Sequence, residues 1–119
     1  MEMHLKETVG GIKVIALRGR MDAAGTSEIE FDFFAFLTGK DIRAVVDLSE
    51  VKFISSAGVR LLLKSAKTML SRGGKMAILN PNFETLRILE ESGVPSVVPV
   101  YSYFESVETV LNASRKNMD

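Results

Sequence analysis

The chain has 119 residues, of which 46% are hydrophobic, and this is enough apolar material for the core of one ordinary domain. Lysine plus arginine and aspartate plus glutamate each total 15, so the chain lacks the basic excess that binding to nucleic-acid phosphates requires. Cysteine is absent, which excludes disulfides, thiolate nucleophiles and most zinc frameworks and is typical of a reducing, cytoplasmic compartment.

The sequence shows no signal for export or membrane insertion. Charges interrupt the amino-terminal residues where a signal peptide needs an apolar run. No segment approaches the roughly 18 uninterrupted apolar residues of a membrane span. We therefore expect an untargeted protein with one domain over residues 1–113 and a flexible polar tail over residues 114–119.

The first third of the chain predicts a β-hairpin followed by a helix. Two β-prone runs, at 5–9 and 13–18, flank Gly10-Gly11, which can supply the positive φ angles of a tight turn. Ser27-Glu28-Ile29-Glu30 has the capping-box pattern and predicts the start of a helix that runs to about Thr38. The helix carries four phenylalanines that cannot all share one face, so some pack against a neighbouring element or stay exposed. They are Phe31, Phe33, Phe34 and Phe36.

The middle of the chain predicts a strand, an amphipathic helix and a second strand. Residues 44–48 form a short apolar run bounded by polar residues, which is typical of a central strand buried on both faces. Residues 56–71 show helical periodicity, and Arg72-Gly73-Gly74 ends this helix before a strand at 76–79. Its predicted apolar face comprises Val59, Leu62, Leu63, Ala66 and Leu70, and its polar face comprises Arg60, Lys64, Lys67 and Ser71.

The last third predicts two further helices with a strand between them. Asn80-Pro81 predicts a helix start, with the asparagine as cap and the proline at the first helical position, and Ser92-Gly93 predicts its end. A strand is expected at 97–101. Ser102-Tyr103-Phe104-Glu105 is a second capping box, which opens a final helix through about Ala113.

This order of elements predicts the fold class. Strands that alternate with helices imply right-handed βαβ crossovers and a largely parallel sheet after the leading hairpin. We therefore expect a single α/β domain with helices packed on the sheet. Ligands and partners of such sheets favour the carboxyl ends of the strands, and the segment after Asp47 places small polar residues there.

Patterns typical of catalysis and of cofactor binding are missing from the sequence. The only histidine, His4, lies beside the first predicted strand and is interpreted as a surface residue. No serine occupies a G-x-S-x-G elbow, and the glycines match neither common phosphate-binding loop. The carboxylates Asp41, Asp47 and Glu50 are spread through loop-like sequence without the regular ligand spacing of a calcium site. We expect neither enzymatic activity nor a metal ion or cofactor.

Two adjacent serines form the candidate site, because Ser55 and Ser56 stand at the start of the amphipathic helix. Serine is a favoured N-cap, so one interpretation is a purely structural cap. The other is a phosphorylation site. The free amides and the positive dipole end of a helix N-terminus would stabilise a phosphoserine that displays about two negative charges.

A longer motif around these serines resembles the STAS domain of bacterial anti-sigma factor antagonists. Residues 47–60 read D-L-S-E-V-K-F-I-S-S-A-G-V-R and follow the family pattern D-L-S-x-V-x-F-[MI]-D-S-S-G-L-G. Gly19-Arg20-Met21-Asp22 is similar to the family's G-E-L-D turn, and Asn80-Pro81 and residues 91–94 are similar to its S-P and S-G-L segments. The resemblance extends from about residue 5 to residue 112 and implies the STAS fold.

The resemblance implies a regulator that exchanges binding partners. Unphosphorylated antagonists of this kind bind a serine kinase of the histidine-kinase-like ATPase type, which doubles as an anti-sigma factor. Phosphorylation releases them, and a phosphatase resets the switch. By position in the motif, Ser56 is the residue phosphorylated. The chain departs from the pattern at Ser55, Ala57 and Arg60, and the extra hydroxyl makes Ser55 the alternative phosphorylation site.

The resemblance also implies a partner-binding surface around the motif. We assign to it Asp22, Ser55, Ser56, Ala57, Gly58, Arg60 and Leu61. A helical wheel places Leu61 opposite the apolar stripe and therefore in solvent. Asp22 has an equal alternative role in holding local amides at a helix start. Arg60 lies one turn after Ser56 and is expected to reach a phosphate there, or else to be an ordinary solvated charge.

Two other functions stay open. One is a STAS adaptor subunit that does not switch, for instance in a transporter complex, with Ser56 serving only as a cap. The other is an enzyme or small-ligand carrier, for which the chain offers no general base, metal cluster or phosphate loop. Ser56 at the target position of the motif favours the switch.

Overall fold

The structure is a computed structural model, and it describes the backbone of residues 1–116 and the side chains of residues 1–112. Its sheet contains β1 (Glu2–Glu7), β2 (Lys13–Met21), β3 (Arg43–Ile54), β4 (Lys75–Leu79) and β5 (Val100–Tyr101), side by side in chain order. β1 and β2 are antiparallel, and all other neighbours are parallel. The helices are α1 (Ala23–Phe36), α2 (Ser56–Ser71), α3 (Phe83–Glu91) and α4 (Phe104–Lys116). The predicted α/β class and leading hairpin are confirmed.

Hydrophobic cores lie on both faces of the sheet. The larger core joins β3 residues such as Val46 to α1, α2 and α3. The smaller core packs Val107 and Leu111 of α4 against the opposite face, which includes Val45. Right-handed crossovers explain this division, because β2 to β5 follow one another in a single direction and their connecting helices then share one face. Val45 and Val46 are fully buried, so β3 is buried on both faces as predicted.

Two predicted helix starts were wrong. α1 begins at Ala23 with Asp22 as its N-cap, so the pattern at Ser27 lies inside the helix. α3 begins at Phe83 with Asn82 as its N-cap, whose side chain accepts a hydrogen bond from the Thr85 N–H at 2.8 Å. Asn80 has a φ of 50°, in the left-handed region that asparagine tolerates better than most residues.

The strands also differ from the predicted spans. β3 continues past the predicted span of 44–48 to Ile54, so Glu50 lies in a strand, as Asp47 does, and not in loop-like sequence. β5 contains only Val100 and Tyr101, although residues 97–101 are β-prone. The N–H groups of residues 97 and 98 both donate to the carbonyl of Val94, at 2.9 and 2.8 Å, and a proline follows them. None of the three can therefore donate to β4, and the strand starts late.

The helix α2 has the predicted bounds but is buried on two faces. Leu61 was predicted to face solvent, yet it is only 3% exposed, because α1 packs beside α2 on the same face of the sheet and covers this flank of the helix. Leu70, predicted in the apolar stripe, is 49% exposed, and Met69 takes the buried position. The helical wheel assumed that α2 packs only against the sheet, so it could not predict the residues that pack against a second helix.

The remaining predictions concern the phenylalanines and the carboxyl terminus. Phe33 is fully buried and Phe31 is 82% exposed, which confirms that the four rings do not share one face. α4 continues past its predicted end at Ala113 to Lys116. Residues 117–119 of the predicted tail lie outside the described residues, and its flexibility stays a prediction. Across residues 1–116, no helix is both long enough and apolar enough to cross a membrane.

Candidate functional site

The candidate site lies at the carboxyl ends of β2 and β3. Met21 and Ile54 are paired across the two parallel strands, so the next residues, Asp22 and Ser55, emerge side by side. Asp22 caps α1 and Ser55 is the N-cap residue of α2. The two motifs recognised in the sequence, residues 19–22 and 47–60, therefore meet at one edge of the sheet.

Ser55 is bonded to the neighbouring strand. Its N–H and its Oγ both donate to the carbonyl oxygen of Met21, each at 3.0 Å. Its hydroxyl makes no capping hydrogen bond to α2. The Ser55 hydroxyl therefore links the start of α2 to the end of β2 and does not cap the helix.

Ser56 is the first residue of α2, and its side chain is exposed. Its hydroxyl has no hydrogen-bond partner among the side chains and backbone groups that the structure describes. The interpretation of Ser56 as the helix cap was therefore wrong. The first intrahelical hydrogen bond runs from the Val59 N–H to the Ser55 carbonyl at 3.0 Å. The N–H groups of residues 56–58 come before it and have no acceptor within the helix.

Two glycines allow the helices to approach the strand ends. A Cβ on Gly58 would stand 2.8 Å from side-chain carbons of Ile54 and Met21. A Cβ on Gly25, in the first turn of α1, would collide with the carbonyl oxygen of Arg20. Gly58 belongs to the sequence motif, whereas Gly25 was missed. The signal for Gly25 was a glycine three residues after an aspartate that can act as a cap.

Asp22 has the local role that was one of its two predicted alternatives. Its Oδ1 accepts a hydrogen bond from the Gly25 N–H at 2.8 Å. Its Oδ2 lies 3.7 Å from Nε of Arg20, and the Asp22 side chain remains 41% exposed. The guanidinium of Arg20 also lies over the ring of Phe53, 4.6 Å from its centroid.

Arg20 and Phe53 were not predicted as site residues. They are register partners on adjacent strands and lie one residue before the strand ends that carry the site. Phe53 is 37% exposed. The pairing becomes visible only once the register of β2 against β3 is known, because the residues are far apart in the sequence.

The other predicted site residues divide between surface and core. Ala57 and Arg60 line a groove between α1 and α2, Arg60 being exposed and Ala57 half-buried. Gly58 and Leu61 are buried, and Leu61 packs in the core, so it is not a surface residue. His4, predicted to be at the surface, is exposed. Among the described side chains, no three of His, Asp and Glu gather closely enough to hold a metal ion.

Comparison with known proteins places the chain in a family. The STAS domain family model matches residues 5–109. BtrV of Bordetella bronchiseptica, named as an anti-sigma factor antagonist, is 28% identical over 94 residues, which cover 79% of this chain and 81% of BtrV. The anti-sigma F factor antagonist of Paenibacillus polymyxa is 24% identical over 92 residues, which cover 76% of this chain and 79% of that protein.

Solved structures show the same fold. A STAS domain protein of Planctomyces limnophilus superimposes with a TM-score of 0.80 at 21% identity, over 95% of this chain and 97% of that one. The unphosphorylated anti-sigma factor antagonist SpoIIAA gives 0.75 at 19% identity, over 92% and 96%. The STAS domain of a SulP transporter from Vibrio cholerae gives 0.61 at 22% identity, over 87% and 80%. With a family model that matches nearly its whole length and with this fold, the chain belongs to the STAS domain family.

Proposed function

We propose that this protein is an anti-sigma factor antagonist whose partner binding is switched by phosphorylation of Ser56. The unphosphorylated protein binds an anti-sigma factor that is also a serine kinase of the histidine-kinase-like ATPase type. Transfer of a phosphoryl group to Ser56 releases that partner, and a phosphatase removes the group. The protein itself is a regulatory binding protein of the cytoplasm and not an enzyme.

The observation that carries this proposal is the difference between the two serine hydroxyls. The Ser55 hydroxyl is part-buried and donates to Met21, so a kinase would have to break this contact to reach it. The Ser56 hydroxyl is exposed and, within the described part of the chain, unbonded. Kinases need an accessible hydroxyl as the nucleophile. The geometry therefore favours Ser56 over the alternative, Ser55.

The position of Ser56 also suits a phosphoserine. A phosphate on the first residue of α2 lies beside the N–H groups that precede the first intrahelical hydrogen bond. These groups and the positive end of the helix dipole favour the charged group. The fold thus tolerates phosphorylation, while a close-fitting partner meets about two new negative charges.

The surface proposed to bind the partner surrounds Ser56. It comprises Asp22, Ser55, Ser56, Ala57, Gly58 and Arg60. Two of these residues shape the surface without offering side chains, because Gly58 is buried and Ser55 is part-buried. Leu61 is left out because it is buried.

Two relatives support this role. Both curated proteins described above are named as anti-sigma factor antagonists. SpoIIAA has been solved in its unphosphorylated form and in its phosphorylated form. Our proposal carries this phosphorylation to Ser56 of the present chain.

The test uses purified kinases of the histidine-kinase-like ATPase type from the source genome. Each is incubated with the protein and Mg-ATP, and the intact mass is recorded. We expect one kinase to add a single phosphoryl group to the wild type and to Ser55→Ala but none to Ser56→Ala. Because Ser56 is exposed and is not the cap, Ser56→Ala should change the unfolding free energy by less than about 0.5 kcal/mol. Modification that persists in Ser56→Ala, or that peptide fragmentation maps to Ser55, would show that the wrong residue was chosen.

The second candidate is a STAS adaptor subunit that does not switch. The likeness to the SulP transporter domain favours it at the level of fold. If the protein is an adaptor, it forms a stable complex whose affinity does not change when charge is added at position 56. None of these kinases then phosphorylates it.

A further inference from the structure

The charges of this chain are unevenly distributed. Between Glu50 and Glu84 the sequence contains no aspartate or glutamate, while this segment carries six cationic residues. They are Lys52, Arg60, Lys64, Lys67, Arg72 and Lys75. The rest of the chain carries the other nine cations and all 15 carboxylates, so a protein with zero net charge contains one strongly basic segment. The centre of that segment is α2.

Three of these cations form a stripe on the outer face of α2. Arg60, Lys64 and Lys67 follow one another at spacings of four and three residues, which puts them on one side of a helix. All three side chains are exposed. Among the described residues, none forms an ion pair with a carboxylate, whereas Arg18 pairs with Glu50 at 3.3 Å and Arg20 lies 3.7 Å from Asp22. We call these three residues the basic stripe.

Two residues of the basic stripe, Arg60 and Lys64, border the groove between α1 and α2, and Lys67 lies on the exposed face of α2 beside it. The groove starts at Ala57, next to Ser56, continues past Lys64 and reaches Arg72 at the far end of the helix. Lys64 lies over the ring of Phe34, 5.3 Å from its centroid. Phe31, 82% exposed, lies on the α1 side. Glu30 is the one carboxylate among the described residues that line it, and it forms no ion pair there.

We infer that the basic stripe and this groove form a docking surface for an acidic face of the kinase that phosphorylates Ser56. The inference rests on the proposed function, because the surface is continuous with the Ser56 site and one partner would cover both. Unpaired cations on a rigid helix attract a surface of opposite charge and guide its approach. The exposed ring of Phe31 offers an apolar anchor at the rim of the groove.

This surface gives the phosphate a means of releasing the partner. A phosphoserine at position 56 adds about two negative charges at one end of the groove. Arg60 lies one helical turn away and can turn towards that phosphate. Its positive charge is then no longer available to attract the partner. An acidic partner face is then repelled by the phosphate and loses part of its attraction to the stripe.

The test compares two double variants with the same change in net charge. Lys64→Glu with Lys67→Glu reverses two of the three charges of the stripe, and Lys6→Glu with Arg87→Glu reverses two exposed cations on β1 and α3. The probe is the purified kinase that adds phosphate to the wild type. Its affinity and association rate are measured with unphosphorylated protein at low and at physiological salt. We expect binding about ten-fold or more weaker for the stripe variant, mostly through slower association, and near-wild-type binding for the control.

Each other outcome overturns the inference in a distinct way. The stripe variant and the wild type could bind the kinase equally well while the kinase still phosphorylates Ser56. That result would contradict the docking surface and leave the proposed function intact. If no kinase phosphorylates Ser56, the proposed function and the inference fail together. Binding of the wild type, but not the stripe variant, to anionic phospholipid vesicles or duplex DNA at physiological salt would assign the stripe to another kind of partner. Thermal unfolding of both variants confirms that they are folded.

Discussion

Ser55 and Ser56 show how adjacent residues of one type acquire different roles. The carbonyl of Met21 accepts two hydrogen bonds from Ser55, so its hydroxyl is used within the fold. Ser56 begins the helix and presents its hydroxyl to solvent. The rule that a serine at a helix start caps the helix through its hydroxyl fails for both residues, because the neighbouring strand binds the Ser55 hydroxyl and the Ser56 hydroxyl faces solvent.

At Arg60 the prediction concerns the phosphorylated protein. We expect the Arg60 guanidinium to pair with phosphoserine 56 and to stabilise the phosphorylated form by about 0.5 to 2 kcal/mol, since the two side chains lie one helical turn apart. The measurement is the gain in thermal stability on phosphorylation, compared between the wild type and Arg60→Gln.

A matched control for this experiment is Lys67→Gln, which removes one positive charge from the same stripe but lies too far along the helix to reach position 56. It should retain the full stability gain. The same gain in Arg60→Gln as in the wild type would show that Arg60 is an ordinary surface charge.

At the scale of elements, the two glycines decide how closely α1 and α2 approach the sheet. We expect Gly25→Ala to lower the unfolding free energy by about 2 kcal/mol or more, because the new Cβ meets a backbone carbonyl that cannot rotate away. Gly58→Ala should cost about 1 to 3 kcal/mol, since side chains of Ile54 and Met21 can yield in part.

Urea denaturation measures both values, and Gly10→Ala is the control. A Cβ on Gly10 would have no neighbour closer than 3.8 Å, so this variant should stay within about 0.5 kcal/mol of the wild type. Wild-type stability in Gly25→Ala would mean that α1 does not need this close approach to the end of β2.

Most elements could be predicted from the sequence, because their signals are local. The bounds of α2 follow from its periodicity and from the glycines after it, and the buried character of β3 follows from its apolar run. The failures came from non-local contacts. Leu61 was misassigned because α1 covers a second face of α2. β5 is short because its preceding amides bond to a turn.

The sequence predicted that the motif residues lie together at the end of neighbouring strands, but not the contacts that they make there. The motif located Ser56 and the strand order brought Asp22 beside it, as expected for adjacent parallel strands. Pattern alone could not show that Ser55 bonds to β2, that Gly25 admits α1 or that Arg20 lies over Phe53. The contacts of Ser55 and Arg20 depend on the register of β2 against β3, which no short stretch of sequence encodes, whereas Gly25 had a local signal that was overlooked.

For the whole molecule, the main prediction is that stability and affinity respond differently to charge at position 56. We expect Ser56→Asp to change the unfolding free energy by less than about 1 kcal/mol, because a negative charge suits a helix N-terminus. Its affinity for the kinase should fall about ten-fold or more, because the partner surface meets an unmatched charge. Titration at physiological salt and urea denaturation provide the two numbers.

The uncharged variant Ser56→Asn serves as the control for size, and it should bind the kinase more tightly than Ser56→Asp does. Equal affinity of Ser56→Asp and the wild type would contradict a charge-operated switch and favour the adaptor.

The paired hydrogen bonds from Ser55 to Met21 have a consequence for how the protein carries a signal. They tie the residue before the proposed phosphorylation site to the end of a buried strand, which restricts the backbone there. A phosphate added next to them alters what the surface displays and leaves the scaffold as it was. The phosphate would then act as a reversible electrostatic signal. A partner detects it on contact, and a phosphatase removes it without any change of fold.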